Sequence, residues 1–432
     1  MKNDLRAYLR TARFIVAGVC SVALFLFGCS GGTSTGADAG TVNFLLDFMP
    51  LNLDPRIGSD AQSERISSLL FSGLVEMDEQ RNLRADLAER WENPDPLTYI
   101  FYLRRDVRFH DGRPLTSADV KFTFDSVTSG AIVTPKIGAF RLLRAVEAPD
   151  AYTVIFRLSE PYASFLWGAI ARPAMGIVPA GSAADFASHP IGTGPFRFVR
   201  ASQDEEVVIE RNPDYFRSHA TVERVHFRIV PDAIVRALEL RKGTADIEVG
   251  SLTPDMVDVM KKDGSLAVTQ RPGTNYSYIA MNFNDPHLAH REVRQALAHA
   301  TDRESIVRHL LRGQARLAES LLPPSHWAHE ENVQRYLYDP HRAELLLDSA
   351  GFPRRPELAN MRLRLELKSS TDETARLLGA VLQEQWRRVG VDLSLRSLEN
   401  ATFRSDITRG AFQLYALRWV GGNNDPDIFE FA

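Results

Sequence analysis

The stretch FHDGRPLTSADVKFTFD, residues 109–125, sets a histidine directly beside an aspartate at His110–Asp111. An imidazole next to a carboxylate is raw material for general base catalysis, which also needs a nucleophile or a substrate proton within hydrogen-bond reach. The sequence supplies no such group. Asp111-Gly112 is a turn signal, and Pro114 fixes the backbone that leaves it. Thr116 with Asp119 three residues on has the form of a helix N-cap with an acidic N3 partner, and Val120, Phe124 and Val127 follow at helical spacing. The preceding TYIFYLRRDVRF has the β-branched and aromatic density of strands. The pair therefore lies on a strand-to-helix turn, and a structural role is expected for His110.

Three other patterns have the outline of chemistry without its context. Gly32–Gly36 reads GTSTG and fits G-x-S-x-G, but a nucleophile elbow needs a strand before it and a helix after it. GTGPF at 192–196 begins like a dinucleotide fingerprint, yet the third glycine is missing and Pro195 would block the start of the expected helix. His287 and His290 flank DPHLAH at a three-residue spacing with no zinc-protease motif, carboxylate cluster or calcium loop around them, and are expected on the surface. No catalytic residue, metal site or cofactor is expected.

The elements that would position a site come from a chain of 432 residues, 44% hydrophobic and 25% charged, enough for two or three domains at roughly 150 residues each. Its formal charge is −4 with no basic stripe, which argues against a nucleic-acid partner. At the N-terminus Lys2, Arg6, Arg10 and Arg13 precede FIVAGVCSVALFLF, an uncharged apolar run of 14 residues. That is too short for an ordinary transmembrane helix and has the length of a signal-peptide h-region. LFGC, Leu26–Cys29, follows, and then SGGTSTGADAG, a flexible linker by composition. This resembles a bacterial lipobox, with Cys29 lipidated as the first mature residue, although Phe27 is larger than the residue usual there; the alternative is a plain secretory signal containing a cysteine. Cys20 and Cys29 are the only cysteines, so no disulfide is expected within the exported chain.

YIFYLRRDVRFHDGRPLTSADVKFTFD resembles the signature segment of the family-5 extracellular solute-binding proteins, the dipeptide-, oligopeptide- and nickel-binding components of ABC importers. Three more blocks match in the family's order: LNLDP at 51–55, PIGTGPFRF at 190–198, and NYSYIAMNFNDPHLAHREVRQALAHATDRESIVRHLLRGQA at 275–315. Within the last, Val293, Ala296, Leu297 and Ala300 form one apolar helical stripe. Thr301 and Glu304 read as a capping box, with Ile306, Val307, Leu310 and Leu311 lining a second helix stopped near Gly313. Strands alternating with such helices suggest α/β domains.

The resemblance implies a two-lobed, periplasmic-binding-protein-like α/β fold with an extra β-rich domain and a hinge between the lobes. It divides the chain into a signal peptide (1–28), a tether (29–40), lobe I (41–75 with 188–272), a small β-rich domain (76–187) and lobe II (273–432). Family members usually continue past the point that matches Ala432, so lobe II is expected to be incomplete. The implied function is that of a lipid-anchored, extracytoplasmic, monomeric binding protein that is not an enzyme. It would capture a peptide-like or small polar solute in the interlobe cleft and deliver it to an ABC permease and its ATPase. The family's cleft blocks place ligand contacts at Tyr276, Asn282, Arg418, Trp419, Gly421 and Asn423. Arg418 has two readings, facing an anionic group or lying solvated on the surface. Peptide-binding members often carry an aspartate three residues after the tryptophan to pair with the peptide's α-amine, and here that position is Gly422. A buried ammonium without a carboxylate costs several kcal/mol, so a free α-amine would need Asn423, Asn424 or Asp425 to move in. A metal chelate, a sugar or an opine-type ligand is the alternative within the class; a tethered sensor or chaperone, or an exported hydrolase, is the alternative outside it.

Overall fold

Three main β-sheets organise the chain. The computed structural model describes residues 40–419 apart from 79–81, 172–174, 184, 272, 274, 321, 323, 325 and 327, and of Trp419 the backbone alone. The expected signal peptide, tether and Cys29 lie outside the described residues. The described residues from Val42 on fall in one compact unit.

The first sheet has the order β11-β1-β10-β9-β8, formed by Thr41–Leu46 (β1), Phe196–Ser202 (β8), Glu206–Arg211 (β9), Arg224–Ile229 (β10) and Ile247–Glu248 (β11). β1 runs parallel to β11, and β8, β9 and β10 form an antiparallel meander. Helix α1, Ala61–Leu70, starts where the Asp60 carboxylate accepts from the amides of Gln62 and Ser63, and it buries Ile66 and Leu70 against Val207, Ile209 and Phe227.

The second sheet, in the order β4-β5-β7-β6, is an antiparallel array of Ala88–Asp95 (β4), Thr98–Leu103 (β5), Leu143–Asp150 (β6) and Thr153–Leu158 (β7), preceded by a hairpin of Val75–Met77 (β2) and Leu83–Ala85 (β3). Helix α2, Ser117–Thr128, covers it and buries Val120, Phe124 and Val127 as their spacing predicts. The Asp119 carboxylate accepts from the Thr116 amide at 2.9 Å, which is one arm of the expected capping box. Phe124 meets Phe156 edge-on at 4.9 Å inside this core.

The third sheet, in the order β12-β15-β13-β14, comprises Tyr276–Met281 (β12), Leu363–Ser370 (β13), Val391–Leu398 (β14) and Leu414–Trp419 (β15), of which β13, β14 and β15 are parallel and β12 is antiparallel. Before it and within it lie helices Ala233–Lys242 (α3) and Pro254–Met260 (α4), which follow β10 and β11, then Arg291–His299 (α5), Pro340–Ser349 (α6), Glu373–Arg388 (α7) and Asn400–Thr408 (α8). The stripe on α5 buries Val293, Ala296 and Leu297 with Leu347, Leu365, Leu382 and Trp386. The expected Thr301–Glu304 capping box is corrected: the Asp302 carboxylate accepts from the Ser305 amide at 2.9 Å and caps the next turn. Thr301 is already engaged, donating to the Leu297 carbonyl at 2.7 Å and accepting from the Trp386 indole at 2.9 Å. The helix that follows is shorter than its apolar pattern suggests, a turn at Arg303–Ser305 passing into a π-helical segment, Ile306–Leu310.

The His110 turn joins the first two sheets. The Gly192 amide donates to His110 Nδ1 at 3.1 Å, and the opposite ring nitrogen, Nε2, lies 3.2 Å from the Gly194 carbonyl. The ring is thereby fixed as the neutral Nε2–H tautomer, and burial lowers its pKa to about 4. Gly192 and Gly194 are there for close approach: a Cβ at Gly192 would sit 1.9 Å from the Leu70 carbonyl oxygen, and one at Gly194 2.4 Å from that of Leu69. The GTGPF pattern is thus the place where the chain passes against the end of α1. A second join lies in the LNLDP block, where buried Arg56 pairs with Asp54 at 2.7 Å and donates to Ser126 of α2 at 3.3 Å. Lys136 and Thr134 grip the same loop by donating to the carbonyls of Pro55 and Arg56.

Candidate binding cleft

Open α/β sheets bind ligands outside the carboxyl ends of their strands. The parallel pair β1 and β11 ends at Leu46 and Glu248, placing Asp47 beside Glu248, Val249 and Gly250 at one sheet edge. In the third sheet β13, β14 and β15 end at Ser370, Leu398 and Trp419, on the edge where β12 begins, because Tyr276 is in register with Trp419. The two edges face each other: Arg418 Nη2 donates to the Gly250 carbonyl at 3.3 Å.

The wall on the first sheet is built from charges. Asp47 accepts from Gln62 Nε2 at 2.6 Å, and the Gln62 amide oxygen in turn takes a bond from Arg65 at 2.5 Å. Arg65 lies over the Phe44 ring at 5.2 Å. Burial pulls its pKa below the usual arginine value, while the carboxylates of Asp47 and Glu248 favour its charge. Glu248 also accepts from the Ser251 amide at 2.6 Å. Two carboxylates therefore lie near one guanidinium, which is hydrogen-bonded to Gln62.

The opposite wall is aromatic and basic. Tyr276 and Tyr278, two apart on β12 and so on one face, stack at 5.9 Å, and Tyr278 meets Tyr415 edge-on at 6.0 Å. Tyr415, in register with Ala280, lies back from the edge at the far end of this row, where Phe412 packs edge-on to it at 4.7 Å. Burial, with the hydrogen bond to Tyr415, raises the pKa of Tyr278, so its hydroxyl keeps its proton. Beside it on α8, Arg404 favours the tyrosinate form, and its Nε is buried with no hydrogen-bond partner among the described residues. Such a wall offers ring faces, hydroxyl donors and a cation to a polar or anionic group, across from a wall that suits an amine.

Of the residues singled out in the sequence, the structure brings Tyr276 and Arg418 to this edge and ends β15 there at Trp419. Arg418 is exposed, in keeping with the surface reading, and its guanidinium also reaches a main-chain carbonyl of the facing edge. Asn282 is a correction. It follows the far end of β12, roughly 20 Å from Tyr276 at about 3.4 Å per residue, and its Nδ2 donates to the Gly410 and Phe412 carbonyls at 3.3 and 2.8 Å. Its Oδ1 accepts from the Asn284 amide at 3.0 Å, which makes it a turn residue. Gly421, Gly422, Asn423, Asn424 and Asp425 lie outside the described residues. His287 and His290 both pack their rings on Phe352, at 5.5 and 5.6 Å.

Sequence reasoning missed Asp47, Arg65, Glu248, Tyr278, Arg404 and Tyr415. Tyr278 carried a signal, its two-residue offset from Tyr276 on a strand; the carboxylates carried none, because Asp47 and Glu248 meet only through a long-range strand pairing.

Residues 82–430 match the profile of the bacterial extracellular solute-binding proteins, family 5. The heme-binding protein A of Haemophilus influenzae is 30% identical over 88% of this chain and 74% of its own length. The dipeptide-binding protein of Escherichia coli is 27% identical over 98% of this chain and 83% of its own. Among solved structures, NikZ from Campylobacter jejuni in complex with Ni(L-His) is similar with a TM-score of 0.81 at 27% identity, covering 91% of this chain and 79% of the other.

Proposed function

Because the chain belongs to the family-5 bacterial extracellular solute-binding proteins, we propose that it captures a peptide-like or small polar solute between the Asp47–Arg65–Glu248 wall and the Tyr276–Tyr278–Tyr415–Arg404 wall. Proteins of this family have the two-lobed fold of periplasmic binding proteins, work outside the cytoplasm, and deliver peptides or similar ligands to ABC importers; they are not enzymes. In the proposed reading the first sheet, with α1, α3 and α4, forms lobe I, the second sheet is the β-rich addition to it, and the third sheet forms lobe II. The mature protein acts as a monomer anchored through lipidated Cys29, and an ABC permease with its ATPase receives the solute.

The observation that carries the ligand class is the asymmetry of the two walls. Two carboxylates around one arginine on one side, and an arginine with tyrosine hydroxyls on the other, complement a molecule that has an amine or amide at one end and oxygens at the other. The relatives' names point to dipeptide and haem, and the similar solved structure holds a nickel–histidine chelate. A second reading, a metal chelate or opine-type ligand, is favoured by Arg404, whose unsatisfied Nε an anionic oxygen would engage.

The test is mass spectrometry of the small molecules that co-purify with the intact protein, followed by titration calorimetry of the compound found against the parent and Tyr276→Ala. We expect a solute with at least one amide or amine and one carboxylate, and an affinity loss of about 2 kcal/mol or more for the variant, as for truncation of a buried aromatic anchor. A neutral sugar, or equal affinity for both proteins, would refute the reading.

A further inference from the structure

At the rim of the cleft the two lobes touch through contacts whose chemistry is one-sided. The segment after β11 in lobe I contributes acceptors to four of these contacts: the carbonyls of Gly250 and Pro254 and the carboxylates of Asp255 and Asp258. Lobe II supplies the donors that meet them. Arg418 Nη2 reaches Gly250 at 3.3 Å, Arg312 Nε reaches Asp255 Oδ1 at 2.5 Å, and Gln314 Nε2 reaches the Pro254 carbonyl at 3.0 Å and Asp258 Oδ1 at 3.1 Å. Gln270, on the stretch that joins the lobes, donates to Gln314 Oε1 at 3.1 Å. That bond decides which end of the Gln314 amide faces α4.

Both halves are built to hold this geometry. On the acceptor side, the buried guanidinium of Arg236 donates to the carbonyls of Val230 and Pro231 at 2.6 and 2.8 Å and to that of Ser251, so the loop before α4 is tied to α3. Glu248 holds the same loop through the Ser251 amide. On the donor side, Ile306 is buried in the lobe II core, with Leu310 and Leu311 packed against it. The chain then turns through Arg312 at φ +51 and Gly313 at φ +70. A left-handed backbone is natural for glycine and unfavourable for arginine, and persists where the surroundings enforce it.

We propose that Arg312–Gly313–Gln314 is a clasp that docks on the α4 platform and sets the balance between open and closed lobes. Arg312 and Asp255 are 54% and 62% exposed, so their attraction is modest and screened by salt. Such a contact biases an equilibrium without locking it, which suits a protein that must also release its cargo. This inference rests on the two-lobed fold and not on the ligand class proposed above, so a failure of the calorimetry leaves it intact.

The experiment compares the parent with Arg312→Glu and Gln314→Glu by small-angle X-ray scattering and by hydrogen exchange of residues 254–260, with no ligand added. Each variant replaces a donor with a carboxylate facing Asp255 or Asp258. We expect a larger radius of gyration and severalfold faster exchange in α4, with an unchanged melting temperature because the side chains lie on the surface. Adding Asp255→Arg to Arg312→Glu restores the pair with its charges exchanged and should return both readings to those of the parent. Scattering and exchange identical to the parent in both single variants, or a charge-swapped double variant that stays open, would overturn the proposal.

Discussion

Replacing His110 with alanine should change how stability depends on pH and leave ligand affinity nearly intact. Burial takes the pKa of the ring from 6.5 to about 4, against the opposing pull of the Gly194 carbonyl, and the Gly192 amide donating to Nδ1 fixes the neutral tautomer. Between those values the unfolded chain binds a proton that the folded chain refuses, so stability from this residue is complete above pH 6.5 and is lost as pH falls toward 4. At about 1.4 kcal/mol per pH unit the loss amounts to about 3 kcal/mol. Asp86 works in the opposite sense. Burial, against the opposing attraction of Arg217, raises its pKa from 3.8 to about 6. The folded chain therefore holds a proton that the unfolded chain releases, and acidification through that window relieves a penalty of similar size. The two groups therefore oppose each other between pH 6.5 and 4, and His110→Ala should become more stable relative to the parent as pH falls. At neutral pH the substitution costs an ordinary 0.5–3 kcal/mol or so through its lost hydrogen bonds. Urea unfolding of both proteins at a series of pH values measures the difference directly. A parent-minus-variant difference that stays constant from pH 7 to 4 would show that the ring is not the neutral clamp described, and a large affinity loss in the variant would move His110 into the binding site.

Cys29→Ser should release the protein from membranes into the soluble exported fraction; unchanged membrane association on fractionation would refute lipidation at this residue. Gly192→Ala should destabilise by about 3 kcal/mol or more, at the upper end of overpacking, since its Cβ would fall 1.9 Å from the Leu70 carbonyl oxygen. A melting temperature within error of the parent would mean that α1 and the glycine turn separate freely. Asn282→Ala should cost stability through three lost bonds near Gly410 and Phe412 and leave affinity unchanged, and weaker binding with an intact fold would return it to the cleft.

Much of the fold was legible where its cause is local. The α2 cap at Thr116–Asp119 and the α5 stripe of Val293, Ala296 and Leu297 follow from spacing alone, and both are found as expected. Thr301 was misread because its partner, Trp386, is 85 residues away and takes the hydroxyl that a capping box would use. Asn282 was misread because nearness in sequence is not nearness along a strand: six extended residues carry the chain from one edge of the sheet to the other. The acidic wall was hidden for a related reason, since neither Asp47 nor Glu248 looks unusual until β1 and β11 lie side by side. Local pattern reports which face a residue takes, and only long-range pairing reports which edge.

The pairing of β1 with β11 also sets a timetable for biogenesis. Asn43 bonds to Asp246, 203 residues further along, and Phe44 lies in register with Ile247. At synthesis rates of about 5–20 residues per second, β1 waits on the order of ten to forty seconds for its parallel neighbour, while the second sheet, whose strands all lie between Ala88 and Leu158, can assemble in the interval. A nascent chain stalled before Lys242 would already hold β10 beside β1 and would leave bare only the β1 edge that β11 covers, an edge open to holdase chaperones and to strand exchange with another copy.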